Sequence, residues 1–250
     1  VTVFFGGNQT LNDTWEWDGA NWVLAAAQNP HSGPAPRGGH AMAYDSARGV
    51  IVLYGGMAYV PVGGGQYQPV TVGDTWEWDG FEWMWRDASQ LGCGSPLPRR
   101  DHEMVYDPVR QRSVMFGGFV SNVGVTNDAW AWDGACWTRI LSERSPSSRY
   151  YGFGMTYHNG RGSVVLYGGY GPTGNENLSD TWELVGNAWL QVPTSGPGPR
   201  YVHKMVYDSI RDVMVLVGGA GAYGTYDDTW EWKTPNTPIL VQQPKGGLHY

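Results

Sequence analysis

The chain has 250 residues, 41% hydrophobic, 14% aromatic and only 16% charged, with 37 glycines and 16 prolines. That apolar content is far too high for disorder, and glycine-rich aromatic sequence suits many short strands joined by tight turns. A net charge of −7 with no cluster of lysine or arginine argues against a nucleic-acid partner, and no stretch approaches the roughly 18 apolar residues of a membrane span.

The first element is VTVFFGG (1–7), an apolar run closed by a glycine pair, followed by NQTLN (8–12) and DTWEWDG (13–19). The chain opens at Val1 without a methionine and is read as a processed product or a fragment. The cleanest unit follows. PRGGHAMAYD (36–45) opens it, GVIVLYGG (49–56) comes after a short turn, and a long loop over 57–73 leads to DTWEWDG (74–80) and WMW (83–85). Four short runs bounded by Gly, Asp or Pro predict four antiparallel strands, here a, b, c and d. Strand b is apolar at five consecutive positions, Val50 to Tyr54, which predicts burial on both faces.

The same unit returns down the chain. The heptapeptide recurs from Asp128, Asp180 and Asp228, and glycine pairs recur at Gly6-Gly7, Gly55-Gly56, Gly117-Gly118, Gly168-Gly169 and Gly218-Gly219. A period of about fifty residues predicts repeat architecture, and small sheets packed on both faces describe a β-propeller. The glycine pair Gly55-Gly56 ending strand b, Trp76 with Trp78 in strand c and Trp83 in strand d resemble the kelch repeat over nearly the whole chain. The resemblance is specific for fold and unspecific for function, since kelch propellers include enzymes, lectin-like binders and adaptor modules.

At the far end PKGGLHY (244–250) matches PRGGHAM (36–42), the opening of a strand a that the first repeat lacks. The expectation is therefore an all-β fold: one domain over 1–250, a five-bladed kelch-type propeller of four-stranded antiparallel blades. Its blades span 1–23 plus 244–250, 36–85, 98–140, 148–192 and 199–243, closed by the C-terminal strand.

Residues that keep the beat of the repeat are read as structural. All 14 tryptophans lie in c–d hairpins, where aromatics fill the wedge between neighbouring blades. Asp13, Asp74, Asp128, Asp180 and Asp228 recur with Arg37, Arg99, Arg149 and Arg200 (and Lys245), which predicts repeated salt bridges or backbone caps. Asp45 with Arg48, Asp107 with Arg110 and Asp208 with Arg211 punctuate a–b turns. His40, His102 and His203 each stand three residues after that arginine, on the strand expected to line a central channel. Three converging imidazoles are a candidate metal site. Their recurrence, with Phe153 at the fourth copy, favours a packing role, and no metal or other cofactor is expected.

Asymmetry should carry function, and the b–c loops differ most. With the adjoining d–a segments they supply the candidate ligand-binding residues Tyr59, Tyr67, Arg100, His102, Asn122, Tyr150, Tyr170, Asn175, Glu176, Tyr201, Tyr223 and Tyr226. Tyrosine and asparagine over glycine-rich turns suit adaptable polar recognition. The reading is a non-catalytic, monomeric module that recognises a glycan or a protein, extracellular by its composition of 3 lysines against 13 arginines with abundant tryptophan and glycine.

The alternative is a kelch-like enzyme acting on sugars. An oxidase resembling galactose oxidase implies a copper site with a tyrosine cross-linked to cysteine, but Cys93 lies in a d–a loop and Cys136 at a c–d turn, on opposite faces. A mutarotase-like site needs clustered acid and base groups, for which Glu176 and the run Arg100-Asp101-His102 are the candidates. The same opposite-face placement argues against a Cys93–Cys136 disulfide unless the segment 86–97 reaches down. Sequons stand at Asn8, Asn12 and Asn177.

Overall fold

Apolar alternation interrupted by glycine and aspartate produces strands almost throughout. A computed structural model describes residues 1–6, 11–27, 33–63, 66–87, 92–174, 176–193, 196–233 and 237–242, and no helix occurs among them. The first sheet holds Thr2–Phe5, Thr14–Trp17 and Trp22–Ala26, in the order b-c-d. The second holds Ala41–Asp45, Val50–Gly63, Gln66–Trp78 and Trp83–Arg86, with Arg37–Gly38 added against Val50–Gly63. Glu103–Asp107, Arg112–Phe116, Ala129–Trp132 and Trp137–Ile140 form the third. The fourth comprises Gly154–His158, Ser163–Tyr170, Asn177–Val185 and Ala188–Val192, and the fifth Lys204–Asp208, Val213–Gly221, Gly224–Lys233 and Thr237–Gln242. The main strands of these five sheets run as antiparallel meanders, and Arg99–Arg100, Phe119–Val120 and Gly124–Val125 pair in a further small sheet. The chain divides into two compact units, residues 1–124 with 129–139, and 125–128 with 140–250.

Within the first unit, tryptophans join each sheet to the one before it. Trp83 Nε1 donates to Thr14 Oγ1 at 2.8 Å and Trp78 Nε1 to Glu16 at 3.0 Å. One repeat later, Trp137 donates to Thr75 at 2.9 Å and Trp132 to Glu77 at 2.9 Å. Each ring thus buries its apolar body while its one donor finds a partner. Glu77, fully buried, also accepts from Arg48 at 2.5 Å and Arg86 at 2.7 Å, which compensates the cost of burying its charge. Trp22 and Trp85 depart from the pattern and are exposed.

The recurring acid and base form one clamp. Arg37 grips Asp74 with both terminal nitrogens, at 2.6 and 2.8 Å, and donates to the Gly55 carbonyl at 3.0 Å. Arg149 treats Asp180 and Gly168 in the same way, and Arg200 treats Asp228 and Gly218. Each aspartate further accepts the indole N–H two residues on, from Trp76, Trp182 or Trp230. The glycine pairs exist because the neighbouring repeat passes too close for a side chain: a β-carbon on Gly55, at φ 66°, would stand 2.6 Å from the Arg99 carbonyl oxygen. In the a–b turns, Asp45, Asp107 and Asp208 each accept two backbone N–H groups, as their positions predict.

Two expectations need correction. Residues 57–73 do not form an open loop. They extend strands b and c into a ribbon paired from Gly56–Val72 to Gly63–Gln66, because Val70, Thr71 and Val72 favour extended backbone and Gly63, at φ 95°, stands at the register shift that follows Pro61. Cys93 and Cys136 are joined by a disulfide, with Cα atoms 5.4 Å apart. The opposite-face estimate fails because the segment after the second sheet runs alongside the third, where Gly94 bridges to Trp137. Asn12 is buried and donates to the Pro34 carbonyl, so it is no accessible glycosylation acceptor. The proposed closing strand, 244–250, lies outside the described residues.

Candidate functional site

His40, His102 and His203 take the same packing role in three repeats. Each closes its own seam by packing edge-on against the aromatic residue that precedes the previous repeat's glycine pair. His40 meets Phe5 at 5.5 Å, His102 meets Tyr54 at 5.7 Å and His203 meets Tyr167 at 5.5 Å between ring centroids. Burial, reinforced by the Arg37 charge, lowers the His40 pKa to about 4; burial and Arg200 lower that of His203 to about 3. Neutral imidazoles fit that packing role. Among the described residues, no three of His, Cys, Asp and Glu converge as metal ligands would. Tyr54 and Tyr167 in turn donate to the carbonyls of Pro96 and Pro197, tying down the d–a connections.

The first unit carries its candidates on the ribbon, a turn and a strand entry. Tyr59 and Tyr67 sit on the ribbon, half-buried and exposed respectively, and Asn122 is exposed in a turn at φ 65°. Arg100 lies 4.7 Å over the Phe119 ring and is paired with Asp101. Burial raises the Asp101 pKa, while the Arg100 charge opposes it. With His102 buried, the run Arg100-Asp101-His102 is engaged internally.

The second unit gathers its candidates. Tyr150 bridges to Tyr170 through the backbone, and their rings meet edge to face at 5.8 Å. Tyr170 also meets Tyr201 at 5.1 Å with an interplanar angle of 71°. Tyr151 joins them, 6.1 Å from Tyr201. Glu176 is exposed; its backbone carbonyl accepts the Gly171 N–H, and its carboxylate stands over Gly171, next to Tyr170. Tyr226 is instead a support, stacked 4.4 Å from the guanidinium of Arg200. Tyr223 projects from its turn with 98% of its surface exposed. Asn175 lies outside the described residues.

A further feature escaped the sequence reading. The second residue after the clamp arginine is left-handed in four repeats: Gly39 (φ 67°), Asp101 (φ 56°), Tyr151 (φ 51°) and Val202 (φ 50°). Glycine adopts this conformation freely, whereas bulky and above all β-branched residues are strained there. Tyr151 and Val202 are both exposed, so neither is held in place to fill a core. Aligning the repeats on Gly39 is the one signal that could have found them.

The clustered tyrosine rings and the nearby carboxylate offer apolar faces, hydroxyls and one negative charge at strand entries that carry the buried clamps. Comparison with known proteins agrees with a repeat fold. Residues 51–238 match the model of the KLHDC2/KLHL20/DRC7 Kelch-repeats domain. A 125-residue stretch, 48% of this chain, is 30% identical to tRNA wybutosine-synthesizing protein 4 of Aspergillus fumigatus, of which it covers 12%. The glycine pairs, the tryptophan hairpins and the family match over most of the length make this chain a member of the kelch-repeat family.

Proposed function

We propose that the chain is a non-catalytic kelch-repeat module that binds a protein partner through the sheet ends where the b–c and d–a connections emerge. The tyrosine cluster Tyr150, Tyr151, Tyr170 and Tyr201 carries this reading, since it assembles four of the chain's 15 tyrosines at one spot without giving them a core to fill. The relative's name concerns tRNA modification. A chain of net charge −7 whose clamp arginines Arg37, Arg149 and Arg200 are buried against aspartates offers RNA little to hold.

Peptide and glycan arrays probed with the wild-type chain and with Tyr170→Ala/Tyr201→Ala test the reading. Peptide signals lost in the variant at unchanged melting temperature are expected. Signals confined to glycans would sink it.

Two finer points belong with this proposal. Residues 244–250 supply the inner strand of the first sheet and close a five-bladed ring. Support comes from Asp13, whose Oδ1 is buried without a hydrogen-bond partner among the described residues, where Asp74, Asp180 and Asp228 each meet an arginine. Lys245 is the matching base in sequence. The disulfide supports an extracellular or otherwise oxidising compartment, where such bonds persist.

A further inference from the structure

We infer that the tyrosine cluster of the second unit is a receptor for a cationic side chain, an arginine or lysine projecting from a basic segment of the partner. The inference rests on the protein-binding reading above and names the chemistry of its ligand.

Four observations converge. The first is the arrangement of the rings. Tyr170 stands edge to face with Tyr150 (84°) and Tyr201 (71°), so the rings make walls at steep angles instead of one flat platform. Walls of π-faces suit a compact cation, whereas a sugar ring stacks on a single exposed face. Second, the exposed Glu176 carboxylate stands over Gly171 beside Tyr170, and it forms no ion pair among the described residues. A negative charge next to electron-rich ring faces selects for positive charge.

The third observation concerns the cations that enter these strands. Arg149 and Arg200 are buried and locked on Asp180 and Asp228. Lys204 is exposed, but it alternates onto the face of its strand opposite Met205, and Met205 packs with Val165 and Tyr167 of the fourth sheet.

The fourth is strain. Tyr151 and Val202 hold left-handed backbone at the position where the second repeat uses Gly39. A β-carbon added at Gly152 would collide with the Val202 backbone nitrogen, so the two strand entries are pressed together at this spot. Exposed bulky residues kept in a glycine conformation mark a surface arranged for contact.

The test uses fluorescein-labelled peptides of equal length, Gly-Arg, Gly-Lys and Gly-Glu repeats, and a neutral oligosaccharide, titrated into the whole chain at about 150 mM salt. Arginine and lysine repeats are expected to bind at least about tenfold tighter than the glutamate repeat. Tyr170→Ala should weaken them by about tenfold, and Tyr170→Phe, which keeps the ring face, should leave them within about twofold. Glu176→Gln, an exposed change with no folding consequence, should cost about three- to tenfold. Equal binding of the basic peptides to wild type, Tyr170→Ala and Glu176→Gln would overturn the inference by showing attraction to net charge alone. Tyr170-dependent binding of the glutamate repeat would overturn it too, yet leave the protein-binding reading standing. Binding of the oligosaccharide alone, or of no probe, would end both.

Discussion

Phe153 occupies in the fourth repeat the position that His203 occupies in the fifth, which makes the histidine's ionisation a removable liability. In the unfolded chain the imidazole has its ordinary pKa near 6.5, whereas folding lowers it to about 3 for His203 and about 4 for His40. The unfolded state therefore binds protons that the folded state refuses. Stability is full above about pH 6.5 and falls as the pH drops toward the folded values, by up to about 1.4 kcal/mol per pH unit for each histidine. His203→Phe is expected to flatten the denaturant-midpoint profile between pH 6 and 4 while leaving pH 8 unchanged. A profile parallel to wild type would show that His203 does not titrate there. Val202→Gly, by releasing a β-branched residue from φ 50°, should raise stability by about 1 kcal/mol, or about 2–4 °C in Tm. A lower Tm would mean that the side chain's contacts outweigh its strain. The packing role of the histidine was legible from its recurrence, whereas the strain was legible only by aligning the repeats on Gly39, because the left-handed position is filled by four different residue types.

At the scale of the element, the clamp and the disulfide make opposite lessons. Every member of the clamp keeps the repeat's beat, so its pairing was readable before any geometry. For Asp180, burial alone would raise the carboxyl pKa, but the Arg149 fork and the Trp182 N–H hold it below the usual range. Asp180→Ala should cost about 3–5 kcal/mol, since it strands a buried guanidinium; urea denaturation giving less than about 1 kcal/mol would show that water replaces the carboxylate. The disulfide was misread because loop placement was judged by topology alone, and the path of a segment between two sheets is a tertiary property. Cys93 and Cys136 lie 43 residues apart, and closing a loop of that size stabilises by about 4 kcal/mol in the chain-entropy view. Intact mass before and after reduction, with the matching fall in Tm, checks both the bond and its contribution. The ribbon over 57–73 was missed for a different reason: its glycines and prolines read as loop, while pairing from Gly56–Val72 to Gly63–Gln66 overrode that local preference.

For the whole molecule, the proposal that residues 244–250 complete the first sheet has a direct test. Strand Thr2–Phe5 is an edge among the described residues, and exposed edges invite pairing. Removal of residues 244–250, and separately Lys245→Ala, should lower the Tm, and the truncation should also promote association seen by light scattering. A truncated chain that keeps its Tm and stays monomeric would count against ring closure. The five-unit period was fully legible, because a fifty-residue beat survives substitution at most single sites. The tyrosine cluster was legible only as a set of loops, since which tyrosines meet depends on how adjacent strand entries pack.

One consequence of the seams concerns how the chain finds its own order. Trp83 with Thr14 and Trp137 with Thr75 are interchangeable handshakes: by donor, acceptor and spacing, either tryptophan hairpin would accept either neighbour. A chain built from such equivalents is open to sheets docking out of sequence, the characteristic error of repeat proteins. The bond between Cys93 and Cys136 forms only when the segment after the second sheet lies beside the third. It works as an address, written once, that tells correct neighbours from merely compatible ones.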